Sequence, residues 1–277
     1  MKSESEFNEI KIRHAALIYL LDFVIFFILV SYIVKLYGEI SNTYINILCL
    51  IATALALFMF LYKIKPSIKK ISLLYIDFKN KIDMKEIIYV SMFFIFLNIG
   101  GANVITDIIY LISPAFANGF IKDSVLTVNS IIDYVICFII LVVLAPIVDE
   151  ITFRYILFKR LSKRFNVYVG LIVSAVIFSA INICPEIFGN FALGIVNCIL
   201  YVKYENILMP ILVYAIYNFV DMFFIKSLIG FNYTILTMNI NTIILSLIIG
   251  LLLFFVGVQF LVKYTSKNRI YLKGSFR

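Results

Sequence analysis

Histidine is almost missing from this chain: His14 is the only one in 277 residues. Charge is scarce too, at 14% of residues, where a soluble domain carries about a quarter. The four cysteines, Cys49, Cys137, Cys184 and Cys198, form no CxxC pair, and most lie inside apolar runs. Each shortage excludes something. Zinc sites are usually built from His and Cys with some carboxylate, so no metal is expected, and no other cofactor is called for. The cysteines do not form a disulfide framework and read as small apolar side chains. His14 sits at the mouth of the first apolar run, far from the polar stripes described below, and is not assigned a catalytic role. There is no internal repeat. Nor are there Gly/Pro-broken helices in both halves, as an inverted-repeat transporter would show.

What the chain has in excess is apolar surface: 63% of residues are hydrophobic and the mean hydropathy is +1.05. A membrane-spanning helix needs about 20 mostly apolar residues. Eight segments qualify, at approximately 15–37, 43–62, 87–112, 131–150, 167–184, 187–202, 207–225 and 240–262. The fold expected is an all-α, polytopic transmembrane helical bundle. The first run is too long for a signal peptide and lacks a small-residue cleavage site. Basic residues set the orientation. With eight spans, Lys35, Lys122 and Lys226 fall on one side and the other 21 of the 24 Lys and Arg on the side of both termini, which is therefore expected to be cytoplasmic. Those cations face anionic lipid. The partners expected are membrane lipid and a membrane-bound peptide or protein, with no nucleic acid. Codon-biased usage rich in Ile, Lys, Asn, Tyr and Phe suggests a bacterial plasma membrane.

Three divisions follow: 1–130 with the N-terminal spans, 131–225 as a core, and 226–277 with the last span and a basic tail. Within the first, 63–86 is too polar to span. Ile64, Ile68, Ile71, Leu74, Phe78 and Ile82 recur among lysines at helical spacing, which suits an amphipathic helix on the cytoplasmic leaflet. An ordinary basic loop is the alternative.

Polar residues inside apolar runs are costly and usually functional. The densest group is Asp149-Glu150-Ile151-Thr152-Phe153-Arg154. Glu150 and Arg154, four apart, share a helix face and can pair; Asp149 points about 100° away and is open to another partner. Pro146 removes a backbone hydrogen bond one turn earlier. An ion pair that merely ends the helix is the competing reading. Phe178 and Asn182 share a face of the fifth span, where an amide can also simply join two helices. Tyr214, Asn218 and Asp221 line a face of the seventh. Asn190, Gly194, Asn197 and Tyr201 align on the sixth, a pattern more typical of close packing. Asp22, Asp107 and Asp133 stand singly, without evident partners.

The segments Asp149–Arg154, Phe178–Asn182 and Tyr214–Asn218, in this order, resemble the CPBP family. That family joins CAAX prenyl endopeptidases to bacteriocin-processing and bacteriocin-immunity (Abi) proteins, and its motifs are EExxxR, FxxxH and HxxxN. Ala145-Pro146-Ile147 before the first motif, Lys159-Arg160-Leu161 after it, and Met209-Pro210-Ile211-Leu212 before the third strengthen the likeness. The resemblance implies a site formed by Asp149, Glu150, Arg154, Asn182, Tyr214 and Asn218. In active members the leading Glu activates water with the second motif's His, and the third motif's His and Asn hold the oxyanion. Here Asp149, Asn182 and Tyr214 replace that Glu and both histidines, and Tyr155 replaces the frequent Gly after the arginine.

The replacements weaken the chemistry. Aspartate is one methylene shorter, and a misplacement of about 1 Å can cost on the order of 10²-fold. An amide takes no proton near neutral pH, and general acid–base help is typically worth about 10²–10⁴-fold. Tyr214 and Asn218 can still donate to an oxyanion. The leading expectation is a degenerate site that binds a membrane peptide or partner, as an immunity or scaffolding factor would. The alternative is an active intramembrane endopeptidase with Asp149 as base.

Overall fold

The computed structural model describes residues 10–38, 40–117, 128–181, 186–225 and 240–274. Every element among them is helical. We number the helices α1 (Ile12–Tyr37), α2 (Asn42–Ile64), α3 (Ile68–Lys81), α4 (Met84–Ile112), α5 (Ile131–Arg164), α6 (Val167–Ile181), α7 (Ile187–Tyr204), α8 (Leu208–Val220) and α9 (Ile240–Gly274). Six of these, α1, α2, α4, α5, α7 and α9, are long and apolar enough to cross a membrane. The apolar stretches Val167–Ile181 and Leu208–Phe223 are shorter. This is an all-α, multi-pass membrane protein, and helices stand at each of the eight places where the hydropathy pattern puts them.

α7 is the hub. Its most apolar window is 72% buried, against 6% for α1, and it packs on α4, α6, α8 and α9. Small residues set these approaches. A Cβ on Gly194 would come within 2.8 Å of the Ala175 Cα, and one on Gly100 within 2.5 Å of the Phe254 amide nitrogen. α7–α6 and α4–α9 therefore touch backbone to backbone, the contact that replaces hydrophobic burial as a source of helix association in lipid.

Polar ties fix one end of the bundle. Glu86 at the start of α4 accepts from Lys203 Nζ at 2.6 and 2.7 Å. It also accepts from the Tyr264 hydroxyl at 2.8 Å and from the Tyr204 hydroxyl, so that one carboxylate joins α4, α7 and α9. α3 is the amphipathic helix of segment 63–86, but it occupies only Ile68–Lys81. Pro66 ends the α2–α3 link rather than starting the helix; Ser67 caps it, its side chain accepting from the Lys70 amide at 3.3 Å. Leu74 is buried while Ile68 stays 87% exposed. Asn206, in the α7–α8 turn, donates to the Leu74 carbonyl at 2.9 Å and to Asp77 at 3.1 Å. Lys81 pairs with Asp77 at 2.9 Å.

Of the three single aspartates, two have partners that sequence did not reveal. Asp133 accepts from Asn46 at 3.1 Å, from the Ser130 hydroxyl at 2.9 Å and from the Asn129 amide at 3.2 Å. Asp107 faces Ser246, with its Oδ2 left without a hydrogen-bond partner among the described residues. Each partner lies on the preceding loop or on another helix, which a one-dimensional reading does not pair.

Two tests follow from this packing. Gly100→Val forces α4 off α9 and should destabilise the protein by about 1–3 kcal/mol, measured as a lower melting temperature in detergent. At α3, burial pushes the Asp77 carboxyl up, but hydrogen bonds from Lys81 and Asn206 outweigh it and hold it below the usual range. The α3 attachment is therefore complete above about pH 4, the unfolded value, and is lost as pH falls through the lower folded value. Amide exchange in α3, corrected for its intrinsic pH dependence, should rise only on that acid limb. In Asp77→Asn it should already be raised at neutral pH.

Candidate functional site

α5 does not stop at the first motif. It continues to Arg164 and changes pitch twice, with π-helical turns at Ile139–Leu144 and Ile151–Phe158 around an α-helical Ala145–Glu150. Such widened turns recur at functional sites. Pro146 explains the partner of the first one. The Ala145 amide donates five residues back to the Ile140 carbonyl. In that register the next amide would serve Leu141, but Pro146 has none. Asn218 Nδ2 donates to the Leu141 carbonyl instead, at 2.6 Å. The third motif's asparagine thus satisfies a backbone acceptor orphaned by the proline before the first motif.

Glu150 and Arg154 form the expected pair. Arg154 Nη1 lies 3.1 Å from Glu150 Oε1, with both side chains fully buried. Around them, Asn197 donates to the same Glu150 oxygen at 2.9 Å and to the Pro210 carbonyl at 3.4 Å. Arg154 Nη2 donates to the Leu193 carbonyl at 3.3 Å, and its guanidinium lies over the Phe178 ring at 4.6 Å. The pair is not saturated: Glu150 Oε2, Arg154 Nε and Arg154 Nη1 have no well-aligned hydrogen-bond partner among the described residues, so Nη1 meets Glu150 as a charge contact.

Asp149 faces the other way, as the helical angle requires. It is only partly buried. Oδ1 accepts from the Tyr19 hydroxyl of α1 at 2.9 Å and Oδ2 from the Tyr214 hydroxyl of α8 at 3.3 Å. The Phe178 ring meets Tyr214 edge-on at 5.8 Å and Phe153 at 5.1 Å.

The candidate residues therefore fall into three groups. Asp149 and Tyr214 touch directly, and Glu150 with Arg154 forms the buried pair on the opposite side of α5. Asn218 stands on the Leu141 carbonyl. Asn182 lies outside the described residues. Two contributors escaped the sequence reading. Tyr19 carries no signal at all, being one tyrosine in an apolar run. Asn197 was visible as an intramembrane amide but looked like packing; its hydrogen bond to Glu150 makes it a positioning residue. Among the described residues, no three His, Cys, Asp or Glu side chains gather closely enough to hold a metal ion.

Arg154→Met leaves the Glu150 charge buried without its counter-ion, and should cost about 3–5 kcal/mol. Replacing both residues with leucine and methionine should restore much of that. Thermal unfolding of the two variants in one detergent measures the difference.

Residues 131–220 match the family described as type II CAAX prenyl endopeptidase Rce1-like. No curated protein and no solved structure matches the chain. The matched segment runs from the start of α5 to the end of α8 and contains the ion pair, Asp149 and Tyr214. Over that segment the chain is similar to CAAX-protease-like membrane proteins, which supports the resemblance carried by the three motifs.

Proposed function

We propose that this protein uses a degenerate CAAX-protease-like site to bind a membrane-embedded peptide or partner protein, in an immunity or scaffolding role, without hydrolysing it. The setting is a bacterial plasma membrane, with eight spans and both ends in the cytoplasm. The observation that carries this reading is the state of Asp149. Each of its oxygens accepts a hydrogen bond from a phenol, Tyr19 on one side and Tyr214 on the other.

A general base must reach the proton it abstracts, directly or through one water. Asp149 instead has a phenol donor on each oxygen, and a phenol lacks the imidazole nitrogen with which a histidine accepts and returns a proton. Tyr214 occupies the place of a family histidine, yet its hydroxyl is directed at the carboxylate rather than at a substrate oxygen. Asn218, the family's second oxyanion donor, donates its amide hydrogen bond to the Leu141 carbonyl. The groups that would share the hydrolytic work are bonded to one another and to the backbone. What remains is a braced, partly accessible polar patch beside the lipid, suited to recognition.

The test is hydrolysis of a prenylated peptide by the full-length protein in vesicles. Turnover should equal that of protein-free vesicles, and Asp149→Ala should change nothing in this assay. Cleavage that Asp149→Ala abolishes would establish the active endopeptidase and refute this reading. The combined variant Asp149→Glu, Asn182→His, Tyr214→His restores the family's pattern and should raise hydrolysis above background.

A further inference from the structure

Asp22 is the remaining one of the three single aspartates. Its Oδ1 is buried and has no hydrogen-bond partner among the described residues. It lies near the middle of the 26-residue α1, roughly 15 Å from the helix start at 1.5 Å per residue. That is half of a hydrocarbon core of roughly 30 Å, the depth at which a carboxyl group is most costly without a counter-charge or donor.

Its surroundings supply none. Asp22 lines a cleft of about 510 Å³ between α1, α2 and the end of α6, whose other polar lining groups are Tyr19, Cys49 and Thr53. The Thr53 hydroxyl is used on the Cys49 carbonyl at 2.8 Å, and the Tyr19 hydroxyl on Asp149. Among the described residues no cation lines the cleft. α1 is also the least covered of the long helices, with Leu20 58% and Phe23 61% exposed on either side of the carboxylate. A second helix can lie along it without displacing anything described.

We propose that Asp22 is the docking point for a partner's transmembrane helix carrying a lysine or arginine near mid-span. The charge selects the sign, the depth selects the position along the partner, and the apolar walls select a lipid-embedded helix over a soluble peptide. Intramembrane charges pair with one another in this way. A lipid headgroup amine is excluded by depth. The geometry also gives the docked helix a route to the family site: Tyr19 is three residues from Asp22 on the same helix face, so a helix on Asp22 covers the residue that holds Asp149. The inference rests on the binding function proposed above and specifies its ligand.

The experiment uses full-length protein in phosphatidylcholine vesicles with synthetic leucine–alanine helices capped by uncharged polar residues. These carry a central Lys, Leu or Glu, and association is read by energy transfer. The Lys helix should bind about tenfold tighter than the Leu helix, the scale of one good interhelical polar contact. Asp22→Asn should erase that preference. Asp22→Lys should transfer it to the Glu helix, which keeps the test decisive if one variant is poorly folded. Equal binding of Lys and Leu helices by the wild-type protein, or a Lys preference retained in Asp22→Asn, overturns the proposal. Cleavage of a bound helix would instead overturn the non-hydrolytic reading and leave the Asp22 preference standing. The two failures are therefore separable.

Discussion

Everything in the core is arranged around one fully buried ion pair. Glu150 and Arg154 have no exposed side-chain surface, and in lipid neither charge survives without the other. Because both belong to α5, it is the need to bury them against α6 and α7 that fixes the rotation of α5 about its axis. Once that rotation is fixed, Arg154 lies on Phe178 of α6 and on a carbonyl of α7, and Asn197 of α7 closes over Glu150. Asp149 is then held toward α1 and α8, with no freedom to turn inward.

The chain is built with two kinds of contact. Around α7 and along α4–α9, glycines bring backbones together and Glu86 gathers three helices. α1 has neither device. It packs along α2 and meets α5 through the Tyr19 hydroxyl on Asp149, the Tyr19 ring contact with Phe153, and Arg160, which donates to the Ile10 carbonyl just before α1 at 2.6 Å. The Asp149 carboxylate thus stands at the seam between a tightly joined body and a more exposed outer helix. Binding surfaces are commonly drawn from such low-stability regions.

Much of this was legible in sequence because lipid makes polar residues conspicuous. Glu150–Arg154 could be paired from spacing alone, since both lie on one helix. The helix positions followed from hydropathy, though α5 runs past Arg154 because the pair is internal rather than terminal. Partners on other helices were not legible. Asp133 and Asn46 are 87 residues apart, and Asn218 and Leu141 are 77 apart; no local pattern links them. The π-helical turns were hidden too, because the pitch of a helix leaves no mark on its hydrophobic content. Pro146 announces a missing backbone hydrogen bond, but not that the carbonyl it orphans is served by Asn218. Tyr19 was lost for a plainer reason: tyrosine in an apolar run is common, and its meaning lies in what it meets.

The span of that last contact has a consequence for assembly. Tyr19 and Asp149 are 130 residues apart, and Tyr214 is a further 65 beyond Asp149. Synthesised in order, α1 waits in the bilayer while four more helices are added before its phenol has a carboxylate to meet. Even then the carboxylate holds one phenol until α8 arrives. The site is therefore closed by the last helix of the matched segment, and is a late product of biogenesis rather than a nucleus for it. Long-range contacts of this kind form slowly, and an interval exists in every molecule's history during which Asp149 is reachable from the lipid.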